Sequence, residues 1–497
     1  MTKQELLAST TFGARVAEEE GEELSAYFVE TDQWKRVFSG EVDVIYGPKG
    51  SGKSAIYSLI VDRRAELLVR RITVIPAENP RGTAAFKELI VDPPASEHEF
   101  RALWKLYLIS LIAEVMRRPF GSNEAIKKIV GTLEQAKLLP QDTSLSSKLK
   151  AVRDYVRRLV RPESIEGGIR INPATGLPEG ITGKITLSEP SAAEREAGIV
   201  SADDLLELVN DVLAAGEQKL WLIFDRLDVA FADNIQLETN ALRALFRVYL
   251  DLIPLKQISM KIFLRNDIWS RIMNEPFPEA SHITRTTEIS WTKNSFLNLV
   301  VRRLLHNEAV VSYYKVTPEQ VLAKIDSQVE FFYRLFPPKV DLGPNKPVSL
   351  DWILSRTADG SRESTPREVI HLISSALEKQ LGSLEIGVAE PPGDLLVDRA
   401  SLKEALPTVS KARFEQTLCA EFPQFREPLE KLKKAKTTQT PSTLGKIWGV
   451  SEDAALRLAN KLSEVGFFER RGSKDAPSFW VPFLYRSALS MIQGAAK

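Results

Sequence analysis

Residues 47–54 read Gly47-Pro48-Lys49-Gly50-Ser51-Gly52-Lys53-Ser54 and satisfy the pattern G-x-x-x-x-G-K-[ST] at every position. Glycine lacks a Cβ, so the backbone N–H groups of such a loop can wrap around a phosphate. In this pattern Lys53 reaches the terminal phosphate oxygens, and the Ser54 hydroxyl coordinates Mg²⁺. All eight residues are therefore predicted to bind a nucleoside triphosphate, ATP with Mg²⁺.

The sequence on both sides of this phosphate loop has the structure that the pattern requires. Glu41–Tyr46 alternates in polarity and predicts a strand, and Ser54–Val69 has helical periodicity. A helix that begins at the loop points its N-terminal dipole at the bound anion. A nucleoside kinase uses the same loop, but it also needs an acceptor site, which we do not find in the sequence. An ATPase is therefore favoured.

Further strands follow along the chain and define the fold class. Lys219–Phe224 is almost continuously apolar, as expected for a strand that is buried on both faces of a parallel sheet. Arg71–Ile75, Met260–Leu264 and Thr286–Trp291 predict further strands, and helical segments lie between them. Alternating strands and helices indicate an α/β fold. We predict a P-loop NTPase core with a mainly parallel sheet, a helical lid and a C-terminal winged-helix domain.

The 497 residues are too many for a single hydrophobic core, and two to four domains are expected. We predict an N-terminal helical segment at 1–40 and an ATPase core at 41–291. The core carries a helical and hairpin insertion at about 98–192. A helical lid at 292–390 and a winged-helix-like domain at 400–497 follow, with Pro391-Pro392-Gly393 as the linker between them.

Two carboxylates follow the apolar strand 219–224. Asp225 comes directly after it, where phosphate-loop enzymes hold Mg²⁺, so we predict that Asp225 and Ser54 are the metal ligands. Asp228 is a candidate for orienting the attacking water. The alternative is that Asp228 caps the next helix, because Asp is favoured at helix N-termini.

Several segments together resemble a bacterial family of P-loop ATPases related to the STAND and origin-recognition-type AAA+ families. They are Phe12-Gly13, Ala17–Glu20, Tyr27–Val29, Tyr46–Ala55, Trp221–Asp228, Ile289–Trp291, Arg302-Arg303, Pro366–Glu368 and Trp480–Tyr485. The resemblance spans nearly the whole chain and implies an ATP-dependent switch that self-assembles. Many AAA-related ATPases have Glu immediately after the metal-binding Asp, and Arg226 stands there in this chain. NACHT-type proteins end a similar D-x-x-D-E motif in Glu, where Val229 stands here, so we expect slow hydrolysis.

The resemblance implies catalytic roles for three arginines. Arg265 follows the strand 260–264 at the position of a γ-phosphate sensor, and Arg367 begins the lid helix at the position of a second sensor. Arg303, together with Arg302, is placed to act as an arginine finger in a neighbouring subunit. Each role has an alternative without function. Arg265 would be an ordinary surface arginine at a strand end, and Arg367 would simply follow Pro366, which is favoured at a helix start. Arg302 and Arg303 would lie on a solvated helix face.

The C-terminal sequence 443–482 reads as helix, glycine-containing turn, helix and two short strands, which is typical of a winged helix. Such a domain binds double-stranded DNA or docks a protein partner, and both alternatives stay open. Basic residues that are candidates for phosphate contacts gather here. They are Lys431, Lys433, Lys434, Lys436, Lys446, Arg457, Lys461, Arg470, Arg471 and Lys474, with Glu452, Asp453, Glu464 and Glu469 between them.

Composition sets the remaining limits. Lys plus Arg and Asp plus Glu each total 66, so the zero net charge of the chain neither favours nor excludes nucleic acid. The single cysteine, Cys419, rules out an internal disulfide and favours the cytoplasm. No apolar run reaches the length of a membrane span, so no membrane association is expected.

Three functions are compatible with the sequence. The favoured one is an ATP-hydrolysing switch that forms a homo-oligomer or acts on DNA or a protein partner. The second is a DNA-binding regulator or replication-initiator-like protein that uses ATP mainly as structure. The third is a scaffold with a degraded nucleotide site.

Overall fold

The computed structural model describes residues 1–79, 86, 89, 96–119, 121–160, 185–186, 189–196, 198–227, 235–274 and 277–496. These residues form two compact units. The first unit comprises Met1–Thr31, Pro48–Gly52 and Ser290–Lys497, and the second comprises Asp32–Gly47 and Lys53–Ile289. Each unit has its own apolar core.

The second unit is built on a parallel sheet. Its described strands are β1 (Val44–Gly47), β2 (Ile72–Pro76), β3 (Ile185–Thr186), β4 (Val200–Ser201), β5 (Lys219–Phe224), β6 (Ile258–Arg265) and β7 (Thr286–Glu288). Five of them form the central sheet in the order β2-β5-β6-β1-β7, and every neighbouring pair is parallel. The predicted α/β fold with a mainly parallel sheet is confirmed, and all five carboxyl ends lie at one edge.

The apolar pattern places these strands. Leu220–Phe224 is buried throughout, as predicted for a strand covered on both faces. β7 is shorter than predicted: it ends at Glu288, and the last contact with β1 is the bond from the N–H of Ile289 to the carbonyl of Tyr46. The predicted hairpin at 162–192 lies largely outside the described residues. Its described part, β3, pairs with β4 in parallel.

Helices surround the sheet. Those described in this unit are Asp32–Ser39, Lys53–Asp62, Arg64–Val69, Glu97–Met116, Glu124–Gln135, Leu145–Val160, Ala192–Glu196, Ala202–Ala215, Ile235–Leu252 and Asn266–Asn274, with a 3₁₀ turn at Pro278–His282. The helix predicted at 54–69 is interrupted at Arg63. Ser201 caps the helix Ala202–Ala215, because its hydroxyl accepts from the N–H of Asp204 at 2.9 Å.

A buried ion pair joins β1 and β6. Lys261 of β6 is fully buried, and its Nζ donates to Asp43 Oδ1 at 2.7 Å and to the Val42 carbonyl at 2.6 Å. The other carboxylate oxygen of Asp43 contacts Arg285 at 3.1 Å and accepts from the Tyr249 hydroxyl at 3.2 Å. Burial lowers the pKa of Lys261, while Asp43 opposes this shift. The charge of Lys261 therefore depends on Asp43.

Replacing Asp43 by Asn is expected to destabilise the protein by about 3 kcal/mol, because it leaves a buried ammonium without a counter-charge. Urea unfolding of the full chain measures the loss. Asp211→Asn is the matched control, because Asp211 is exposed on the helix Ala202–Ala215. Equal unfolding midpoints for the two variants would contradict the structural role of the pair.

The first unit is mostly helical. Its described helices are Lys3–Ser9, Ala17–Glu20, Leu24–Tyr27, Lys293–Leu305, Glu308–Tyr314, Pro318–Ala323, Ile325–Leu335, Ser349–Thr357, Pro366–Glu385, Arg399–Ala412, Cys419–Glu421, Arg426–Glu430, Pro441–Trp448, Glu452–Glu464 and Phe483–Arg486. Arg413–Leu418 is a π-helix, and short 3₁₀ turns lie at Gly21–Glu23 and Pro423–Phe425. The predicted helical segment 1–40 is thus several short helices. Within the part of the chain that the structure describes, no helix is both long and apolar enough to cross a membrane.

The C-terminal residues of this unit contain a second sheet. It is formed by β8 (Lys436–Gln439), β9 (Glu469–Gly472), β10 (Pro477–Trp480) and β11 (Ile492–Ala495), in the order β11-β8-β10-β9. β9 and β10 form an antiparallel hairpin, and β10 pairs antiparallel with β8. The helices Pro441–Trp448 and Glu452–Glu464 lie between β8 and β9 in the chain.

The predicted linker at Pro391–Gly393 does not separate two cores. The helix Arg399–Ala412 packs along the helix Pro366–Glu385, and one apolar cluster contains both Ile373 and Leu402. The predicted domain boundaries stay a prediction, but removal of residues 400–497 would expose apolar surface of the remaining helices.

Candidate functional site

The phosphate loop leaves β1 at the carboxyl edge of the parallel sheet and leads directly into the helix Lys53–Asp62. Gly50 and Gly52 have φ angles of +84° and +103°, which side chains with a Cβ rarely adopt. The Nζ of Lys53 donates to the Gly47 carbonyl at 2.8 Å. Gly50 and Gly52 therefore adopt the positive φ angles that explain why the pattern has glycine in this loop.

The tip of this loop, Pro48–Gly52, groups with the first unit and packs closely there. A Cβ added at Gly50 would lie 2.8 Å from Thr365 Oγ1 and 2.9 Å from Arg367 Cβ. The indole N–H of Trp291 donates to the Ser51 carbonyl at 2.8 Å. The sequence did not predict these supporting contacts, although Trp291 ends one segment of the family resemblance and Thr365 directly precedes another.

Asp225 lies at the same sheet edge as the end of β1. It directly follows β5, and only 4% of its surface is exposed. In the register of the sheet, Gly47 lies opposite Arg265 of β6, and Phe224 of β5 lies opposite Ile262 of β6. Asp225 is therefore two strand spacings from the end of β1, about 10 Å. Burial, and to a smaller extent the negative charge of Asp225, raises the pKa of Tyr57, which lies on the helix that follows the loop.

The residues after Asp225 bear on hydrolysis. Arg226 occupies the position where a catalytic Glu was expected from the resemblance, and its φ is +58°. A left-handed conformation at a residue with a side chain costs about 1 kcal/mol and is frequent at functional sites. Asp228 lies outside the described residues, so its role in orienting water or capping a helix stays a prediction.

Three polar residues at the carboxyl ends of β6 and β7 lie at the same edge of the sheet as Asp225. They are Arg265, Asn266 and Glu288. Arg265 pairs with Asp267 through two hydrogen bonds of 2.9 and 3.0 Å, and its role as a γ-phosphate sensor stays a prediction. The side-chain amide of Asn266 donates to Glu288 Oε1 at 2.8 Å. We did not select Asn266 and Glu288 from the sequence. Their position at the carboxyl ends of predicted parallel strands was the available signal.

Arg303, which the resemblance implies as an arginine finger, is buried in the structure. Its side chain is 4% exposed and pairs with Glu20 at 2.5 Å. It also donates to the Phe12 carbonyl at 2.7 Å, and its guanidinium lies 4.3 Å from the centre of the Tyr27 ring. The guanidinium is thus enclosed by residues of its own chain, and its role as an arginine finger stays a prediction. Its neighbour Arg302 donates to Asn298 Oδ1 at 2.8 Å and is half-buried.

Arg367 lies in the first turn of the helix Pro366–Glu385 and lines a pocket of about 160 Å³ within the first unit. The charged and imidazole groups around this pocket are Arg15, Lys49, Arg367, His371, Arg413, Glu19 and Glu368. Arg413 pairs with Glu368 at 3.0 Å and Lys49 pairs with Glu421, so part of the positive charge at this pocket is already balanced. Burial and then the charge of Arg15 lower the pKa of His371 to about 4, so this imidazole is neutral at pH 7. The sensor role of Arg367 stays a prediction.

The described residues do not form a metal site on their own. Nowhere among them do three His, Cys, Asp or Glu side chains come together as a set of ligands. Ser54 and Asp225 each offer one oxygen ligand of the kind that Mg²⁺ prefers. Magnesium at this site would therefore need oxygens from the phosphates of a nucleotide and from water.

No protein-family model matches the chain. No curated protein matches it in sequence. Among solved structures, it is similar to the ORC2 protein of Aeropyrum pernix in ADPNP–ADP complexes, with 11% identity, coverage of 95% of this chain and 94% of that one, and a TM-score of 0.40. The ADP form of that protein has 12% identity, coverage of 96% and 93%, and a TM-score of 0.32. These similarities are distant, and the function proposed below rests on this chain's own residues.

Proposed function

We propose that the protein is an ATP-binding switch of the AAA type that hydrolyses ATP slowly with Mg²⁺. One observation carries the proposal: a complete phosphate loop follows β1 at the edge of the parallel sheet where Asp225 also lies. Ligands of such sheets bind at the carboxyl ends of the strands, next to the point where the strand order reverses. Here β1 is that point, because the chain continues from β1 to β2, β5 and β6 on one side and to β7 on the other.

The residues present fit a nucleotide with magnesium. The backbone N–H groups of the loop and the helix that begins at Lys53 favour bound phosphate. Lys53 would exchange the Gly47 carbonyl for phosphate oxygens. Ser54 and Asp225 would hold Mg²⁺, whose charge stabilises the negative charge of the phosphates.

Slow turnover follows from two features. Arg226 stands where a carboxylate would act as general base, so neither neighbour of Asp225 in the sequence, Phe224 or Arg226, can accept a proton from water. Arg303 is buried against Glu20, and this pairing does not favour charge stabilisation in a neighbouring subunit. The test is ATP turnover with Mg²⁺, together with particle size, which reports self-assembly. Absence of both nucleotide binding and turnover in the wild-type chain would refute the proposal.

A second candidate function, that of a DNA-binding regulator resembling a replication initiator, is favoured by the C-terminal residues. The succession of β8, two helices and the hairpin β9–β10 is the arrangement expected of a winged helix. Exposed Arg470 and Lys474 lie on that hairpin. A protein partner remains the alternative occupant of this domain.

Beside the hairpin, guanidinium groups stack on aromatic rings. The Arg486 guanidinium lies 4.6 Å from the centre of the Trp480 ring and 4.0 Å from that of Phe483. Arg471 adds a contact of 3.9 Å with Trp480, and Arg356 one of 4.1 Å with Phe483. Burial, and then the repulsion from Arg356 and Arg471, lower the pKa of Arg486 to about 10. Arg471 also pairs with Glu469 and Arg356 with Asp341, so this cluster adds positive charge for a polyanionic partner mainly through Arg486.

The double variant Arg470→Gln/Lys474→Gln is expected to weaken binding of duplex DNA at low salt. The slope of log K against log[salt] should also become shallower by about 2, because a phosphate contact that is lost no longer releases counterions. Fluorescence anisotropy over a salt series measures both. Lys127→Gln/Lys128→Gln is the control, because it makes the same charge change on the exposed face of the helix Glu124–Gln135. If the wild-type chain fails to bind DNA at about 50 mM salt, where phosphate contacts are strong, a protein partner is favoured instead.

A further inference from the structure

An ion pair connects the phosphate loop to the C-terminal part of the first unit. The Nζ of Lys49 donates to a carboxylate oxygen of Glu421, and the two side chains are 35% and 14% exposed. Next to Lys49, a Cβ added at Gly50 would collide with Thr365, and the carbonyl of Ser51 accepts from Trp291. The tip of the loop is therefore held on three successive residues, and only the Lys49 contact is made between opposite charges.

Glu421 belongs to a segment that is itself tied to the start of the lid helix. The short helix Cys419–Glu421 continues the π-helix Arg413–Leu418. Arg413 donates to Glu368 at 3.0 Å, one residue beyond Arg367, and lies 3.5 Å from the hydroxyl of Tyr485. The segment that carries Glu421 is therefore bonded, through Arg413, to the first turn of the lid helix and to Tyr485.

We propose that Glu421 is a positioning residue that lowers the affinity of the loop for nucleotide by holding Lys49. This inference rests on the proposed nucleotide site. The phosphates of a nucleotide and the Glu421 carboxylate carry the same sign of charge and compete for the Lys49 ammonium. Pairing with Glu421 neutralises Lys49, and the carboxylate also repels the incoming phosphates. Both effects weaken nucleotide binding.

The competition makes the contact responsive to the nucleotide. Coupling between two equilibria acts equally in both directions. If the Lys49–Glu421 pair weakens nucleotide binding, a bound nucleotide must weaken the Lys49–Glu421 pair by the same factor. Nucleotide binding is then expected to loosen the segment 413–430. Glu421 thus couples the loop to the part of the chain that carries the proposed partner-binding domain.

Calorimetry with ADP tests the proposal and avoids turnover. Glu421→Gln keeps the size of the side chain and is expected to tighten ADP binding roughly two- to fivefold at low salt, the range for a partly exposed ion pair. The gain should shrink in about 1 M salt, where charges are screened beyond about 3 Å. A purely structural role would not give this salt dependence. Glu427→Gln is the matched control, because Glu427 is 81% exposed, lies nearby in the chain and pairs with Lys431.

The possible outcomes separate this inference from the nucleotide site itself. If ADP binds the wild type and is lost in Lys53→Ala, but Glu421→Gln binds ADP equally or more weakly, Glu421 has no such role. Failure of the wild type to bind ADP would overturn both proposals. Hydrogen exchange of the wild type gives a second measurement that needs no variant. Faster exchange at 413–430 with ADP supports the coupling, and unchanged or slower exchange contradicts it.

Discussion

Substitution of Lys53 by alanine is expected to remove nearly all nucleotide affinity, with a loss of at least about 100-fold. Hydrogen bonds to charged groups contribute about 1.5–3 kcal/mol each, and in the proposed site Lys53 donates to the terminal phosphate oxygens. In the structure its Nζ is already within the loop, on the Gly47 carbonyl. Calorimetric titration with ATP or ADP measures the loss.

Lys256→Ala is the control for that experiment. Lys256 is exposed and precedes β6, so it lies at the amino edge of the sheet, away from the loop. Its substitution makes the same change in charge and should leave the affinity unaltered. Unchanged nucleotide affinity in Lys53→Ala would show that residues 47–54 are not a phosphate loop in function, whatever their sequence.

Replacing Asp225 by Asn has a different expected result. Nucleotide affinity should change by less than about threefold, whereas Mg²⁺-dependent turnover should fall by about 100-fold or more, because charge stabilisation by the positioned metal acts mainly in the transition state. Turnover is measured over a magnesium series. Because Asp225 is buried, a thermal unfolding curve of each variant is needed to separate loss of chemistry from loss of folding.

Asp228→Asn supplies the comparison at the second carboxylate of the motif. If Asp228→Asn abolished turnover while Asp225→Asn retained it, the predicted roles of the two residues would be reversed. Equal turnover in wild type and both variants would mean that neither carboxylate holds the metal. The nucleotide would then have a mainly structural role, as in the DNA-binding regulator that is the second candidate function.

The buried position of Arg303 changes the view of self-assembly. A homo-oligomer whose subunits complete each other's sites needs an exposed arginine, and Arg303 instead joins the helix Lys293–Leu305 to Glu20. The role of Arg303 across subunits therefore stays a prediction that its buried pairing does not favour. The half-buried Arg302, which bonds to Asn298, is the remaining member of the predicted pair.

The sequence alone determined the features of this protein that depend on short stretches of chain. The phosphate loop follows from eight consecutive residues, and β5 follows from an apolar run that ends in Asp225. Strands and helices were predicted correctly where the periodicity of apolar residues was clear, because that pattern is set by neighbouring residues. The parallel α/β sheet then follows from their alternation.

Only the tertiary structure decided which charged residues are buried and what they contact. Arg303 and Glu20 are 283 residues apart in sequence, and Lys49 and Glu421 are 372 apart. Nothing near either arginine or lysine in the chain indicates its partner. The shared core across residues 391–393 was equally invisible, because a proline-rich segment marks a turn but not whether apolar surfaces meet on both sides of it. Burial and ion pairing depend on contacts between distant segments, and these form only when the chain is folded.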